Sequence, residues 1–310
     1  MNRQQRSESA RGGFALVELL TAVVIGLLLV VIATPGFLRL RSAARRVECE
    51  KNLVTLSKGV NAFETAHSHL PRAGHWDPIY GGWTAELLPY LDVGDLAKQY
   101  DYTRNWYDPE NQKVVQVQVP LFLCPASPEA KPVGPLKIMG EIHPEKFAAA
   151  GDYMVPRGYL DERLPPGRQL GALAWYNETP RRSQITDGAG TTILISEQAA
   201  RWGHFQNGKR LPDNKDQTYG SWVGAWASYN AMWIRTSRRG GAGGENGETD
   251  ATTCGVNCNN SDGFYSFHEN GVNALMCDGA VRFLKSTIDD MALYALVSRA
   301  GNEVIDEGEF

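Results

Sequence analysis

The sequence predicts an α+β protein, with a long N-terminal transmembrane helix packed on a mostly antiparallel β-sheet domain. Three observations predict it. The run from Phe14 to Ala33 is apolar but for small or hydroxylic residues, and Glu18 is its one charge. A second apolar set, Cys49, Leu53, Leu56, Val60 and Phe63, recurs at alternating spacings of four and three, which is one face of a helix. Beyond Pro71 the chain falls into short β-branched runs divided by turn signals.

The first element is the membrane span. Phe14 to Thr34 is about 21 residues, which at 1.5 Å each crosses a hydrocarbon core of roughly 30 Å. A secretory signal peptide has a shorter apolar region followed by a small-residue cleavage site. Here a basic leader (Arg3, Arg6 and Arg11 against Glu8) ends in Gly12-Gly13 before the apolar run. A cut at that point leaves the hydrophobic segment on the mature chain. Arg39, Arg41, Arg45 and Arg46 follow the span as closely as the leader arginines precede it, so charge alone does not fix the orientation. Glu18 stands out, because a carboxylate in a span costs roughly 2.5–3.5 kcal/mol. It needs a partner.

The helical pattern continues past the span to about Ser68, with a kink or local break expected at Pro35-Gly36. Pro71 and Gly74 end it. The outer half, residues 35–70, is expected to pack its stripe on the body, since a lone amphipathic helix is marginal in water. In the body, residues 71–310, "VVQVQVPLFLC" alternates as a strand should, and "ITDGAGTTILISE" pairs an Asp-Gly turn with a β-branched run. "GVNALMCDGAVRFLK" reads as a hairpin whose two-residue turn is Asp278-Gly279. That turn would put Val272, Ala274 and Met276 on one face with Val281 and Phe283. The Gly- and Asn-rich stretch "RRGGAGGENGETDATTCGVNCNNSDG" reads as a long surface loop.

The chain of 310 residues can bury an ample core, and its formal charge of −4 argues against a nucleic-acid binder. Eight tryptophans, Trp76, Trp83, Trp106, Trp175, Trp202, Trp222, Trp226 and Trp233, point to a large core before a binding surface. Five cysteines leave at least one thiol free or paired between chains. Cys254 and Cys258, with three residues between them, lack the C-x-x-C spacing and are expected to close a small disulfide loop. No zinc-protease helix, P-loop, dinucleotide glycine pattern or nucleophile elbow is present. His67, His69 and His75 read as a polar helix end. "LPDNKDQ" and "NCNNSDG" offer oxygen ligands without the spaced calcium-loop pattern, so no metal or other cofactor is expected, calcium being the one ion such loops could hold. The arginines after the span suit lipid head groups.

"GFALVELLTAVVIGLLLVVIATPGF" resembles the cleavage and methylation signal of type IV prepilins and type II secretion pseudopilins, through Gly13, Phe14, Leu16, Val17, Glu18, Leu19, Leu20 and Pro35. The resemblance implies a leader of residues 1–13, cut by a prepilin peptidase after Gly13 with methylation of Phe14, and a span over residues 14–34. It also implies a single pass of the cytoplasmic membrane, with the N-terminus cytoplasmic and the domain outside. Glu18 then acquires a role in assembly: a carboxylate one turn from the new Phe14 amine is its counter-charge, within a chain or from a neighbour in a filament.

The body has a resemblance of its own. "RSAARRVECEKNLVTLSKGVNAFETAHSHLPRAG", "LFLCPAS", "SQITDGAGTTILISE" and "FHENGVNALMCDGAVRFLK" resemble successive blocks of an exported family in which a prepilin-type signal precedes a domain of unknown function (number 1559). Its C-terminal mark is a His, nine residues, then Asp-Gly, here His268, Asp278 and Gly279. That family implies a pilin-like α+β fold and supplies no activity. His268 and Asp278 are read as turn fixtures at the two ends of one strand, about 20 Å apart at ~3.4 Å per residue.

The expected function is therefore that of a structural subunit, not an enzyme, assembled into a type II secretion-like pseudopilus or envelope filament. Its partners would be the prepilin peptidase, other pilin-like subunits and membrane lipid. A membrane-anchored glycan-binding module is the alternative, and an enzyme centred on His268 and Asp278 a more distant one.

Overall fold

The structure is a computed structural model and describes residues 16–138, 140–159, 170–173, 179–212, 224–234, 237–238, 253–261 and 263–303. It divides into two compact units, residues 1–44 and residues 45–310. The described part of the first unit is wholly helical, the beginning of α1 (Leu16–His67). Its leucines, valines and isoleucines are exposed around the whole circumference, from Leu16 to Ile32. The expected break at Pro35-Gly36 does not occur, and the helix is assigned continuously through both residues. Pro35 withholds one N–H donor, while the helix-forming residues on either side carry the ladder on. Thr34 Oγ1 donates to the Val30 carbonyl at 2.6 Å in the same turn.

In the second unit the helix buries Cys49, Leu53, Leu56, Val60 and Phe63, the stripe that the spacing predicts, together with Ser57 and Gly59. The stripe belongs to a core shared with a mixed five-stranded sheet: β1 (Tyr153–Tyr159), β2 (Ile193–Glu197), β3 (Ala231–Ile234), β4 (Gly271–Met276) and β5 (Val281–Lys285). The spatial order is β5-β4-β2-β1-β3, antiparallel throughout except for the β1–β3 pair. Tyr153, Val155, Ile195 and Leu275 face the core that contains the α1 stripe. Met154, Ile193, Val272, Ala274 and Met276 face a second core closed by α3 (Asp290–Val297) through Leu293, Tyr294, Leu296 and Val297. Asp289 caps α3, its carboxylate accepting from the Met291 N–H at 2.8 Å. Every residue of β2 and β4 is buried, because both strands lie inside the sheet with a core on each face.

Two expectations are corrected here. "VVQVQVPLFLC" is not a strand. Its first two valines close α2 (Pro109–Val115), and a single 3₁₀ turn follows at Pro120–Phe122. Pro109 at the first helical position and burial of Asn111, Val114 and Val115 favour the helix. The intervening backbone joins no ladder: the Val117 N–H donates to the Val114 carbonyl at 3.0 Å, and Trp226 Nε1 donates to the Val117 carbonyl at 3.0 Å. The 271–285 hairpin does form, one residue out of the expected register. Met276 N–H donates to the Ala280 carbonyl, enclosing Cys277, Asp278 and Gly279 in a three-residue turn. Val272 therefore faces Leu284 and Ala274 faces Arg282, while Val281 pairs with Leu275 and Phe283 with Asn273. One added turn residue exchanges the faces of β5.

The turn rests on α1. Gly279 has φ +93°, and a Cβ there would come within 3.1 Å of Ser57 Oγ. Replacing Gly279 by alanine is expected to destabilise the body by about 1–3 kcal/mol, read as a lower denaturation midpoint. Arg182 fastens the same corner, bonding Glu64 at 2.6 Å, Asn61 at 2.6 Å and the Cys277 carbonyl.

Candidate metal centre

Four polar side chains meet in the middle of this frame: Cys49, Cys124, Glu197 and His268. Each comes from a different element. Cys49 begins the buried stripe of α1, Cys124 follows the 3₁₀ turn 120–122, Glu197 ends β2, and His268 precedes β4. Their relative exposures are 0%, 2%, 0% and 5%, so the cluster is closed to solvent. One ligand-type atom from each lies within 4.8 Å of the other three. His268 Nε2 is 3.2 Å from Glu197 Oε1 and 3.4 Å from Cys124 Sγ. Among the described residues no other group of three or more such side chains converges in this way.

The backbone holds these groups in place. Glu197 Oε2 accepts the Asn273 N–H at 2.7 Å, so the adjacent strand aims the other carboxylate oxygen at His268. The N–H of Cys124 donates to Asp152 Oδ2 at 2.9 Å, and Asp152 Oδ1 accepts from the Ala200 N–H at 2.8 Å. His268 N–H donates to Ser266 Oγ at 3.1 Å, and Asn257 Nδ2 donates to the His268 carbonyl at 3.3 Å. Burial alone would keep the His268 ring neutral, but hydrogen bonding to Cys49 and Glu197 and the Glu197 charge outweigh it and push its pKa up to about 9. Burial, then the hydrogen bond to Cys49, pushes the Cys124 thiol well above the usual range. Burial also lifts the Asp152 carboxyl to about 6, against the two amides that favour its charged form.

The other singled-out residues fall elsewhere. Gly13 and Phe14 lie outside the described residues, and Glu18 is exposed in the first turn of α1. Cys254 and Cys258 are joined as a disulfide, with Cα atoms 6.1 Å apart. Most of the Gly-rich stretch, residues 239–252, lies outside the described residues, as do residues 213–217 of "LPDNKDQ". In "NCNNSDG", Asn260 is buried and spends its amide on the carbonyls of Ala199, Ala200 and Gly203. Asp278 Oδ1 accepts the Ala280 N–H at 2.8 Å in the hairpin turn. The six-residue strand β4 separates it from His268, whose ring meets Glu197 and Cys124 instead. His67, His69 and His75 bond respectively to Tyr90 Oη (2.8 Å), the Leu70 carbonyl (2.7 Å) and Glu86 (2.6 Å). Arg46 lies over the Phe283 ring at 4.7 Å, so that member of the arginine group serves the body.

Cys49, Cys124 and Glu197 are not among the residues that sequence reasoning proposes. They stand with His268 across about 220 residues without any short ligand spacing, which is the signal that sequence motifs for metal sites depend on. One signal was available. Each of the four stretches that carry the resemblance of the body contributes one member of the cluster.

No curated protein and no solved structure matches the chain significantly. Residues 39–291 match the family described as a protein of unknown function (DUF1559), a span that holds the sheet and all four clustered side chains. On that match over most of its length, the chain belongs to the DUF1559 family.

Proposed function

We propose that the protein is a processed, pilin-like structural subunit of a type II secretion-like pseudopilus or related envelope filament. In this reading the prepilin peptidase cuts between Gly13 and Phe14, the segment from Phe14 spans the cytoplasmic membrane, and the body lies outside. The observation that carries it is the first part of α1, apolar and uncovered on every side and long enough to cross a bilayer. Such a surface requires lipid or the matching helices of other subunits. A helix used only as an anchor has no need of Glu18 in its first turn, whereas a subunit whose mature amine must be neutralised does. The test is the N-terminus of the native protein. Intact mass and peptide analysis should find a chain beginning at methylated Phe14, and loss of three arginines and one glutamate should take its formal side-chain charge from −4 to −6. A chain that keeps Met1, or one cut beyond Thr34, sinks the proposal.

A second reading, ligand binding by the body, is favoured by a cleft of about 250 Å³ formed within residues 75–104. Tyr80, Tyr100 and Tyr102 line it with His75, Glu86 and Arg104. Aromatic faces bordered by charged hydrogen-bonding groups suit a glycan, and glycan-array binding lost in Tyr102→Ala would favour this reading.

A further inference from the structure

We propose that Cys49 Sγ, Cys124 Sγ, Glu197 Oε1 and His268 Nε2 together bind one zinc ion, in a closed structural site that ties α1 to the sheet. The first ground is geometric. A tetrahedral zinc with ligands at ~2.3 Å (S) and ~2.1 Å (N, O) holds its S and N ligands about 3.6 Å apart and its N and O ligands about 3.4 Å apart. The corresponding separations here are 3.4 Å and 3.2 Å. A contraction of a few tenths of an ångström is the difference between atoms that touch each other and atoms that share an ion.

The second ground is a proton count. Cys124 Sγ and Glu197 Oε1 both approach the one nitrogen Nε2 of His268, at 3.4 Å and 3.2 Å, and the ligand atom of Cys49 lies within 4.8 Å of all three. That nitrogen carries at most one proton and can make one good hydrogen bond with it. Two partners competing for one N–H, with a third sulfur beside them, are poorly served by hydrogen bonding and well served by a cation at their common centre.

The third ground is ligand type. Two thiolates and an imidazole select a borderline-soft ion over calcium or magnesium, and four protein ligands at 5% exposure or less leave no position for water or substrate. The bond from Asn273 N–H to Glu197 Oε2 and that from Cys124 N–H to Asp152 supply the outer contacts that orient metal ligands. On binding, both thiol protons and the Nε2 proton leave to solvent, and the centre carries a formal charge of −1. Because Cys49 is on the helix and the other three ligands are on the body, the ion would couple folding of the sheet domain to docking of α1.

The test uses the full-length protein, extracted in detergent and purified without a metal column. Elemental analysis after dialysis is expected to find about one zinc per chain. Cys49 and Cys124 should resist alkylation until a chelator is added, and Cys277→Ser, which alters a buried thiol outside the cluster, should keep the metal. Cys49→Ser and Cys124→Ser should each lose it. Should those variants fail to fold, cobalt(II) exchanged into the unmodified protein decides the matter. Thiolate-to-cobalt charge transfer with tetrahedral d–d bands is expected. Folded protein that stays metal-free with one equivalent of zinc and shows no such cobalt spectrum would overturn the proposal, as would a Cys49–Cys124 disulfide in peptide mapping.

Discussion

Replacing Glu18 by alanine is expected to leave the protein in the membrane and to remove it from cross-linked multimers. Removing the carboxylate makes insertion easier, by roughly 2.5–3.5 kcal/mol on the insertion scale. It also takes away the counter-charge of the Phe14 amine that the proposed processing creates. An isolated ammonium inside a bilayer is strongly disfavoured, and the helix can relieve it only by shifting toward the cytoplasmic face. That shift moves every apolar contact along α1 out of step with a neighbouring subunit, so assembly fails while insertion persists. Membrane fractionation and in-membrane cross-linking separate the two outcomes. A mutant with a normal multimer ladder would show Glu18 to be dispensable.

The second large effect is expected at Glu197. Its side chain has no exposure, one oxygen bound to the Asn273 N–H and the other facing His268. Glu197→Ala leaves the buried Asn273 N–H without its acceptor and removes the carboxylate that faces the buried His268 ring, a loss of about 3–5 kcal/mol. Glu197→Gln can still accept from Asn273 through its amide oxygen and should fall between the two. Denaturant titration of the full-length protein checks the order wild type, Gln, Ala. Equal midpoints for wild type and Glu197→Ala would mean that the body does not depend on the contacts of this carboxylate.

Much of the fold was legible because it rests on short-range patterning. The α1 stripe repeats with the helical period and is buried at each predicted position. The 271–285 hairpin carries Asp-Gly, and its existence follows from that pair, whereas its register depends on whether Cys277 joins the turn. Local sequence does not settle that choice. It follows from the contact of Gly279 with Ser57 and of Arg182 with the Cys277 carbonyl. "VVQVQV" misleads for a related reason: three alternations are too few to outweigh a proline at a helix start and a tryptophan that bonds the backbone of the segment. The cluster around His268 was hidden by distance along the chain. His268 was visible in its family mark, but its partners are assembled by tertiary packing alone. His268 stands two residues before the Asn270-Gly271 turn, and its ring points into the core with 5% exposure.

The same helix that begins as bare apolar surface ends as an interior component of the sheet domain, and this limits how the protein can be shed. Proteolysis near Ala44 would leave residues 45–310 with Leu53, Leu56, Val60 and Phe63 in place, a fragment that keeps its own interior. Cleavage just past His67 would strip that fragment of the whole stripe and of Cys49. Released forms that persist in the medium should therefore begin before Cys49. An antibody raised against such a form would recognise the folded body, whereas fragments starting after the helix would survive only as degradation products.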